Sequence, residues 1–125
     1  RFIQVSLAIL MVAAMTCVAY ARYSNIGRFS IAGSIESTSV TSITTIMLNK
    51  SCNSMTEVTL ERSSNGGATY EDYRTLETKR SSSSGYTVIA NKSGLSSAYD
   101  YRVKAELYVY DDAGNEIEYD CDYLD

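Results

Sequence analysis

The clearest pattern in the chain is an alternation of apolar and polar positions that begins at Tyr99. Up to Tyr110 the odd positions are aliphatic or aromatic, whereas most of the even positions are charged. After the turn sequence DDAGN, the odd positions from Ile117 to Tyr123 again carry the bulkier apolar groups. Because successive side chains of a strand point to opposite faces of a sheet, the pattern predicts an antiparallel hairpin with one buried face.

The register of this hairpin follows from its turn. A type I turn with a left-handed Gly114 gives a three-residue loop and a G1 bulge, which keeps both strands in one phase. That register predicts Val109 opposite Ile117 on the buried face. It assigns four tyrosines to the core or its edge, namely Tyr99, Tyr101, Tyr119 and Tyr123. It places a patch of two tyrosines and two glutamates on the solvent face, namely Tyr108, Tyr110, Glu116 and Glu118.

Five further strands are predicted upstream, in a region rich in Ser, Thr, Val, Ile and Tyr and divided by Ser-, Asn- and Gly-rich turn clusters. They lie near residues 28–35, 38–48, 56–62, 70–78 and 86–90. The apolar residues of the second segment keep no clean alternation, which predicts a bulge or a strand buried on both faces. In the fourth segment Tyr70, Tyr73 and Leu76 are spaced by three, so a short helix remains an alternative there.

The front of the chain carries an uncharged apolar segment, FIQVSLAILMVAAMTCVAYA, at residues 2–21. It ends in a small-x-small pattern, which predicts a signal helix cleaved after Ala21. Two alternatives stay open: a retained membrane anchor, since about 20 apolar residues span a bilayer, and a lipoprotein modified at Cys17. The expected organisation is a signal peptide at 1–21 and one domain at 22–125, with membrane contact only through the segment before cleavage.

The composition argues against several classes of catalytic and binding site. The chain contains no histidine, which removes Ser-His-Asp and Cys-His catalysis and imidazole metal sites. The formal net charge of −4 argues against nucleic acid as a partner, because phosphate binding needs a basic face. The acidic turn at Asp111 and Asp112 lacks the residue order of a calcium loop, and turn formation already explains its Asp, Gly and Asn. We therefore expect no catalytic residues, no cofactor and no metal.

The stretch LSSAYDYRVKA, residues 95–105, resembles the tyrosine corner of fibronectin type III and other immunoglobulin-like sandwiches, with Leu95 followed six residues later by Tyr101. The resemblance implies a buried ring whose hydroxyl bonds a backbone group a few residues upstream. SSNGGATY, residues 63–70, is similar to an Asp-box, which implies a well-built turn. As a whole, the chain resembles small secreted immunoglobulin-like proteins of Gram-positive gut bacteria. That resemblance implies secretion and a sandwich, and no activity.

The predicted fold class is therefore all-β, a seven-stranded antiparallel Greek-key β-sandwich of immunoglobulin-like type, preceded by a signal helix. An oxidising exterior favours a disulfide between Cys52 and Cys121. The strand arrangement opposes it, because the two cysteines would lie roughly 20 Å apart at about 3.3 Å per strand residue. The pairing stays open.

The expected function is a secreted, non-catalytic recognition or adhesion module that binds an extracellular glycan or protein. The residues expected to form the binding patch are Tyr108, Tyr110, Glu116 and Glu118, since surface tyrosine beside carboxylates suits such partners. The alternative is a structural surface or filament subunit that retains its N-terminal hydrophobic helix.

Overall fold

A computed structural model describes residues 24–125 of the chain. The predicted signal peptide, its cleavage after Ala21 and the lipidation of Cys17 lie outside the described residues. From residue 24 to 125 the chain is all-β, with seven strands and no helix, so the helical alternative for the fourth segment is wrong. The strands are β1 (Ile26–Ile35), β2 (Val40–Leu48), β3 (Asn53–Ser63), β4 (Glu71–Ser81), β5 (Gly85–Lys92), β6 (Asp100–Tyr110) and β7 (Glu116–Leu124). No helix long and apolar enough to cross a membrane occurs within this range.

The strands form two antiparallel sheets packed face to face. One sheet has three strands in the order β1-β2-β5, and the other has four in the order β4-β3-β6-β7. The chain crosses between the sheets after β2, after β4 and after β5. One core lies between the sheets and draws on both of them. Its fully buried aliphatic side chains are Val40, Ile46, Val58, Leu60, Val88, Val103, Leu107 and Val109.

The inner face of β2 explains why its apolar residues failed to alternate in sequence. Burial alternates regularly along this strand, but the buried positions include Ser42 and Thr44 as well as aliphatic residues. The Ser42 hydroxyl donates a hydrogen bond to the Ala90 carbonyl oxygen at 2.7 Å, which compensates its burial. The register of β2 with β5 is unbroken. The predicted bulge or double burial of β2 is therefore wrong.

The two local motifs fold as their resemblances implied. The Tyr101 ring is buried, and its hydroxyl donates to the Ser96 carbonyl oxygen at 2.7 Å, five residues upstream. This is the predicted tyrosine-corner hydrogen bond. In the SSNGGATY turn, the Ser63 hydroxyl accepts from the Gly67 backbone N–H at 2.9 Å, and the Asn65 side chain accepts from the Thr69 N–H at 3.0 Å. Both motifs are therefore structural devices that fix a connection between strands.

The hairpin of β6 and β7 has a different register from the predicted one. Tyr110 lies opposite Glu116 as expected, but Val109 lies opposite Glu118, so Ile117 has no partner and is exposed. The extra residue is a β-bulge, and because side chains alternate with period two, it turns every later residue of β7 to the other face. The predicted pairing of Val109 with Ile117 is wrong for this reason.

The exchange of faces has a physical cause at the edge of the neighbouring sheet. Glu118 now points between the sheets, where it accepts hydrogen bonds from the Asn25 backbone N–H at 3.0 Å and from the Ser24 hydroxyl at 3.4 Å. Asp122, on the same face of β7, accepts from the Ile31 N–H of β1 at 3.3 Å. Carboxylates on this face thus satisfy backbone donors on the open edge of β1, which would otherwise need another partner.

Candidate binding surface

The surface of interest is the face of the four-stranded sheet that points away from the three-stranded sheet, called here the outer face. Of the four residues predicted as a patch, Tyr108 and Tyr110 lie on it and are half-buried, and Glu116 is exposed beside Tyr110. Glu118 is not part of the patch, because only 4% of it is exposed and it faces the other sheet. The hairpin bulge accounts for that error.

Tyr108 belongs to a cluster that forms inside the outer face. Its hydroxyl and that of Tyr119 both donate to the same oxygen of Glu106, at 3.1 and 2.6 Å, and the two rings are 5.1 Å apart at their centres. Burial, followed by the charge of Glu106, raises the pKa of Tyr108 to about 12. Burial, followed by the hydrogen bond to Glu106 and by the neighbouring Cys121, raises the pKa of Tyr119. Tyr119 was predicted in the core or at its edge, but it lies on the opposite face and supports this cluster.

A network of ion pairs centred on the buried Glu61 lies beside this cluster. Glu61 on β3 is only 6% exposed and pairs with the Arg102 Nε at 2.6 Å and the Lys104 Nζ at 3.6 Å. Lys104 also pairs with Asp72 at 3.0 Å and with Glu106 at 3.7 Å. Burial by itself lowers the pKa of Lys104, but the hydrogen bond to Asp72 and the nearby carboxylates outweigh it and raise that pKa. The network holds Lys104 as a charged, positioned cation.

Four further tyrosines, on this sheet or in its connections, stack on arginine. The Arg102 guanidinium lies 4.4 Å from the centre of the Tyr70 ring and 4.3 Å from that of Tyr123. Cation–π contacts of this kind contribute about 0.5–1 kcal/mol each at exposed sites. Tyr123 was predicted at the core edge, but it is 42% exposed on the outer face. Arg62 lies in the same way between Tyr73 and Tyr99, at 4.1 and 4.3 Å.

An open cavity of about 560 Å³ lies at the end of the four-stranded sheet nearest the β6–β7 turn. Its lining residues come from the start of β3, the end of β4, the end of β6 and two turns: Asn53, Ser54, Arg80, Ser81, Ser82, Tyr110 and Gly114. The volume is within the range of small-ligand sites, and the lining combines one aromatic ring with hydroxyl, amide and guanidinium groups. Within residues 24–125, neither the Tyr110 hydroxyl nor the Arg80 guanidinium has a hydrogen bond or ion pair. Both groups are therefore available to a ligand.

No protein-family model and no curated protein matches the chain. A proposal for the function of the chain therefore depends on the residues of its own outer face and cavities.

A second cavity, of about 420 Å³, lies at the opposite end of the molecule. Its three aromatic groups are engaged, because Tyr101 bonds Ser96, Tyr99 stacks on Arg62 and Tyr70 stacks on Arg102. Its charged lining is acidic, from Glu36, Asp100 and Asp125. The cavity beside Tyr110 is the better candidate, since the Tyr110 hydroxyl and the Arg80 guanidinium have no hydrogen-bond or ion-pair partner within residues 24–125.

The acidic turn between β6 and β7 is held by hydrogen bonds of its own residues. The Asp111 carboxylate accepts from the backbone N–H groups of Ala113 and Asn115, at 3.0 and 2.8 Å. These hydrogen bonds, with that of Asn115 first, lower the pKa of Asp111. Gly114 is left-handed with φ of 85°, as the turn prediction required. In the part of the chain described, no group of three or more His, Cys, Asp or Glu residues is arranged to hold a metal ion.

The two cysteines of the described residues are free thiols. Cys52 lies between β2 and β3 and packs against the core, and burial raises its pKa. Cys121 lies opposite Glu106, next to the side chains of Tyr119 and Tyr123 on the outer face. The two thiols thus reach the four-stranded sheet from opposite faces.

Proposed function

We propose that the chain is a secreted, non-catalytic recognition module that binds an extracellular glycan or protein through the cavity beside Tyr110. The observation that carries the proposal is the combination of an aromatic ring, an unpaired guanidinium and several hydroxyl groups around one open cavity. Aromatic rings stack on the apolar faces of sugars, and tyrosine is enriched in protein interfaces. The uncharged segment at residues 2–21, which ends in Ala-Tyr-Ala, supports export.

The proposed fold family is immunoglobulin-like, with Greek-key connections. The strand order supports it: β1, β2 and β5 correspond to strands A, B and E, while β3, β6 and β7 correspond to C, F and G. The hydrogen bond from Tyr101 to the Ser96 carbonyl oxygen supports it as well. Such sandwiches commonly bind through loops and strand ends at one end of the molecule, which is where the Tyr110 cavity lies.

A non-catalytic role is supported by the state of the charged groups. The sequence lacks histidine, the usual general base. On the outer face, Glu61, Lys104 and Glu106 are joined in ion pairs, and the phenols of Tyr108 and Tyr119 are held in their neutral form by burial and by Glu106. These groups stabilise the sheet, and none of them lines the Tyr110 cavity.

A pair of matched tyrosine variants tests the proposal. Binding of the purified protein to a glycan array and to extracellular protein extracts is compared with that of Tyr110→Ser and Tyr123→Ser. Both tyrosines lie on the outer face, but only Tyr110 lines the cavity. We expect Tyr110→Ser to lose at least tenfold in affinity and Tyr123→Ser to bind as the unchanged protein does. Equal binding by all three proteins would reject the cavity as the site.

A structural surface or filament subunit is the second proposal, and a different surface favours it. On the outward face of the three-stranded sheet, Ile43, Met47 and Ile89 are 41%, 52% and 62% exposed. Ile43 pairs with Ala32 on one side and Ile89 on the other, which makes an apolar row across the sheet. Exposed apolar rows of this kind suit self-association. Light scattering on the protein and on Ile89→Lys separates the proposals, since only a subunit would form assemblies that the lysine disrupts.

A further inference from the structure

The charge of the Tyr110 cavity differs from that of the protein around it. The chain as a whole carries a formal charge of −4. Of the seven residues that line this cavity, Arg80 alone is charged. Arginine residues of the same sheet that lie near acids are engaged, as Arg102 is with Glu61 at 2.6 Å. The Arg80 guanidinium has no ion pair and no hydrogen bond within residues 24–125, so its five N–H donors are available.

The strand register fixes how Arg80 and Tyr110 are arranged. On β3, Asn53 lies opposite Tyr110 of β6, and Met55 lies opposite Arg80 of β4. Because side chains alternate along a strand, Asn53 and Met55 share the outer face. Arg80 and Tyr110 are therefore on either side of β3, two strand spacings and two residues of strand length apart, which is about 12 Å between their Cα atoms. Asn53 and Met55 of β3 lie between the two strands that carry them.

The acids near this cavity do not neutralise Arg80. Asp111 directs its carboxylate to the backbone N–H groups of its own turn. Glu116 lies opposite Tyr110 on β7, on the side of β6 away from Arg80. Glu57 lies further along the outer face of β3, opposite Thr78. No carboxylate forms an ion pair with Arg80 in the described part of the chain, and the cavity has an uncompensated positive charge.

From this arrangement we infer that the cavity takes an anionic glycan, with a sugar ring on Tyr110 and a carboxylate or sulfate group on the Arg80 guanidinium. The inference rests on the proposed function and adds the charge of its ligand. The planar guanidinium binds carboxylate and sulfate oxygens through two parallel N–H donors, which an ammonium group cannot do. The span of about 12 Å suits a ring and its charged substituent or the next sugar of a chain. Asn53 and Ser82, which also line the cavity, supply donors and acceptors for the sugar hydroxyls.

Pairs of glycans that differ only in charge test the inference. The probes are galacturonic acid oligomers against their methyl esters, and dextran sulfate against dextran, each titrated into the purified protein by calorimetry. We expect the charged member of at least one pair to bind about 10- to 100-fold more tightly, as charge-assisted hydrogen bonds do. The carboxylate and sulfate pairs distinguish which anion is recognised.

Three variants identify the group responsible. Arg80→Gln should lose the preference for the charged glycan, and Arg80→Lys should keep only part of it, because lysine retains the charge without the paired donors. Arg74→Gln is the matched control, since it removes the same charge from an exposed position of the same strand. Tyr110→Ser should weaken binding of the charged and neutral glycans alike.

The outcomes separate this inference from the proposed function. If binding depends on Tyr110 but is equal for both members of each pair and unchanged in Arg80→Gln, the anionic ligand is rejected and the recognition site stands. Equal losses in Arg80→Gln and Arg74→Gln would assign the effect to net charge and also overturn the inference. Failure of every charged probe to bind would overturn it as well.

Discussion

The hydroxyl group of Tyr101 gives the most direct test of how the fold is held together. Tyr101→Phe keeps the buried ring and removes only the donor to the Ser96 carbonyl oxygen, a hydrogen bond of 2.7 Å. A neutral hydrogen bond of this kind contributes about 1 kcal/mol to the free energy of unfolding. For a domain of this size that corresponds to a fall in Tm of roughly 4–8 °C. In urea, the midpoint should fall by about 0.5–1 M with an unchanged slope.

Tyr99→Phe is the matched control for this measurement. Tyr99 lies in the same connection, packs against the same core and has no hydrogen bond from its hydroxyl in the described residues. Its substitution should change the free energy of unfolding by less than about 0.5 kcal/mol. Both variants are unfolded in urea and followed by circular dichroism. Equal midpoints for the two variants would mean that the corner hydrogen bond adds no stability, and the reasoning would be refuted.

The bulge of the hairpin, the pKa of Tyr108 and the state of the two thiols can each be tested by a separate measurement. Glu118→Ala should lower the free energy of unfolding by about 1–3 kcal/mol, because it leaves the part-buried Asn25 N–H without its acceptor. Glu116→Ala should cost less than about 0.5 kcal/mol, and equal losses in urea unfolding would contradict the bulge. Burial and Glu106 raise the pKa of Tyr108 from 10.0 to about 12. The contribution of the neutral Tyr108 phenol to stability is therefore complete below pH 10 and is lost as the pH rises through about 12. Ultraviolet titration of phenolate should show this late ionisation, and Glu106→Gln should shift it to lower pH; an unshifted curve would remove Glu106 as a cause. Peptide mapping without reductant should find the two cysteines of the folded domain unlinked, whereas a clean intrachain bridge would reject this arrangement of strands.

Much of the strand pattern was predictable because the signals for it are local. The alternation that begins at Tyr99 becomes β6, with every odd residue from Tyr101 to Val109 buried. The Gly114 turn forms with the predicted left-handed glycine. The tyrosine corner also joins residues only five apart in the chain. Within such short stretches, side-chain period and turn chemistry decide the backbone, and both are written in the residue types.

The phase of β7 was not predictable from the same rules. The odd positions from Ile117 to Tyr123 are apolar or aromatic and the even positions from Glu116 to Asp122 are acids, so the pattern favours the phase that the structure does not adopt. The acids were assigned to solvent because an isolated carboxylate is costly to bury. In the folded chain Glu118 meets the N–H of Asn25, 93 residues away, and that long-range donor reverses the preference. Glu61 is buried for a similar reason, since Arg102 reaches it from β6.

The candidate site likewise combines residues that the sequence identified with one that only the tertiary structure brings in. The sequence selected Tyr110 and Glu116 correctly as neighbours on one face, because they flank a single turn. It gave no signal for Arg80, which comes to the cavity from β4 only because β3 pairs with both β4 and β6. The sequence alone thus determined the strands, their turns and the absence of histidine chemistry. The tertiary structure decided which carboxylates are buried and which polar groups share a cavity, because burial and hydrogen-bond partners depend on residues that are distant in the chain.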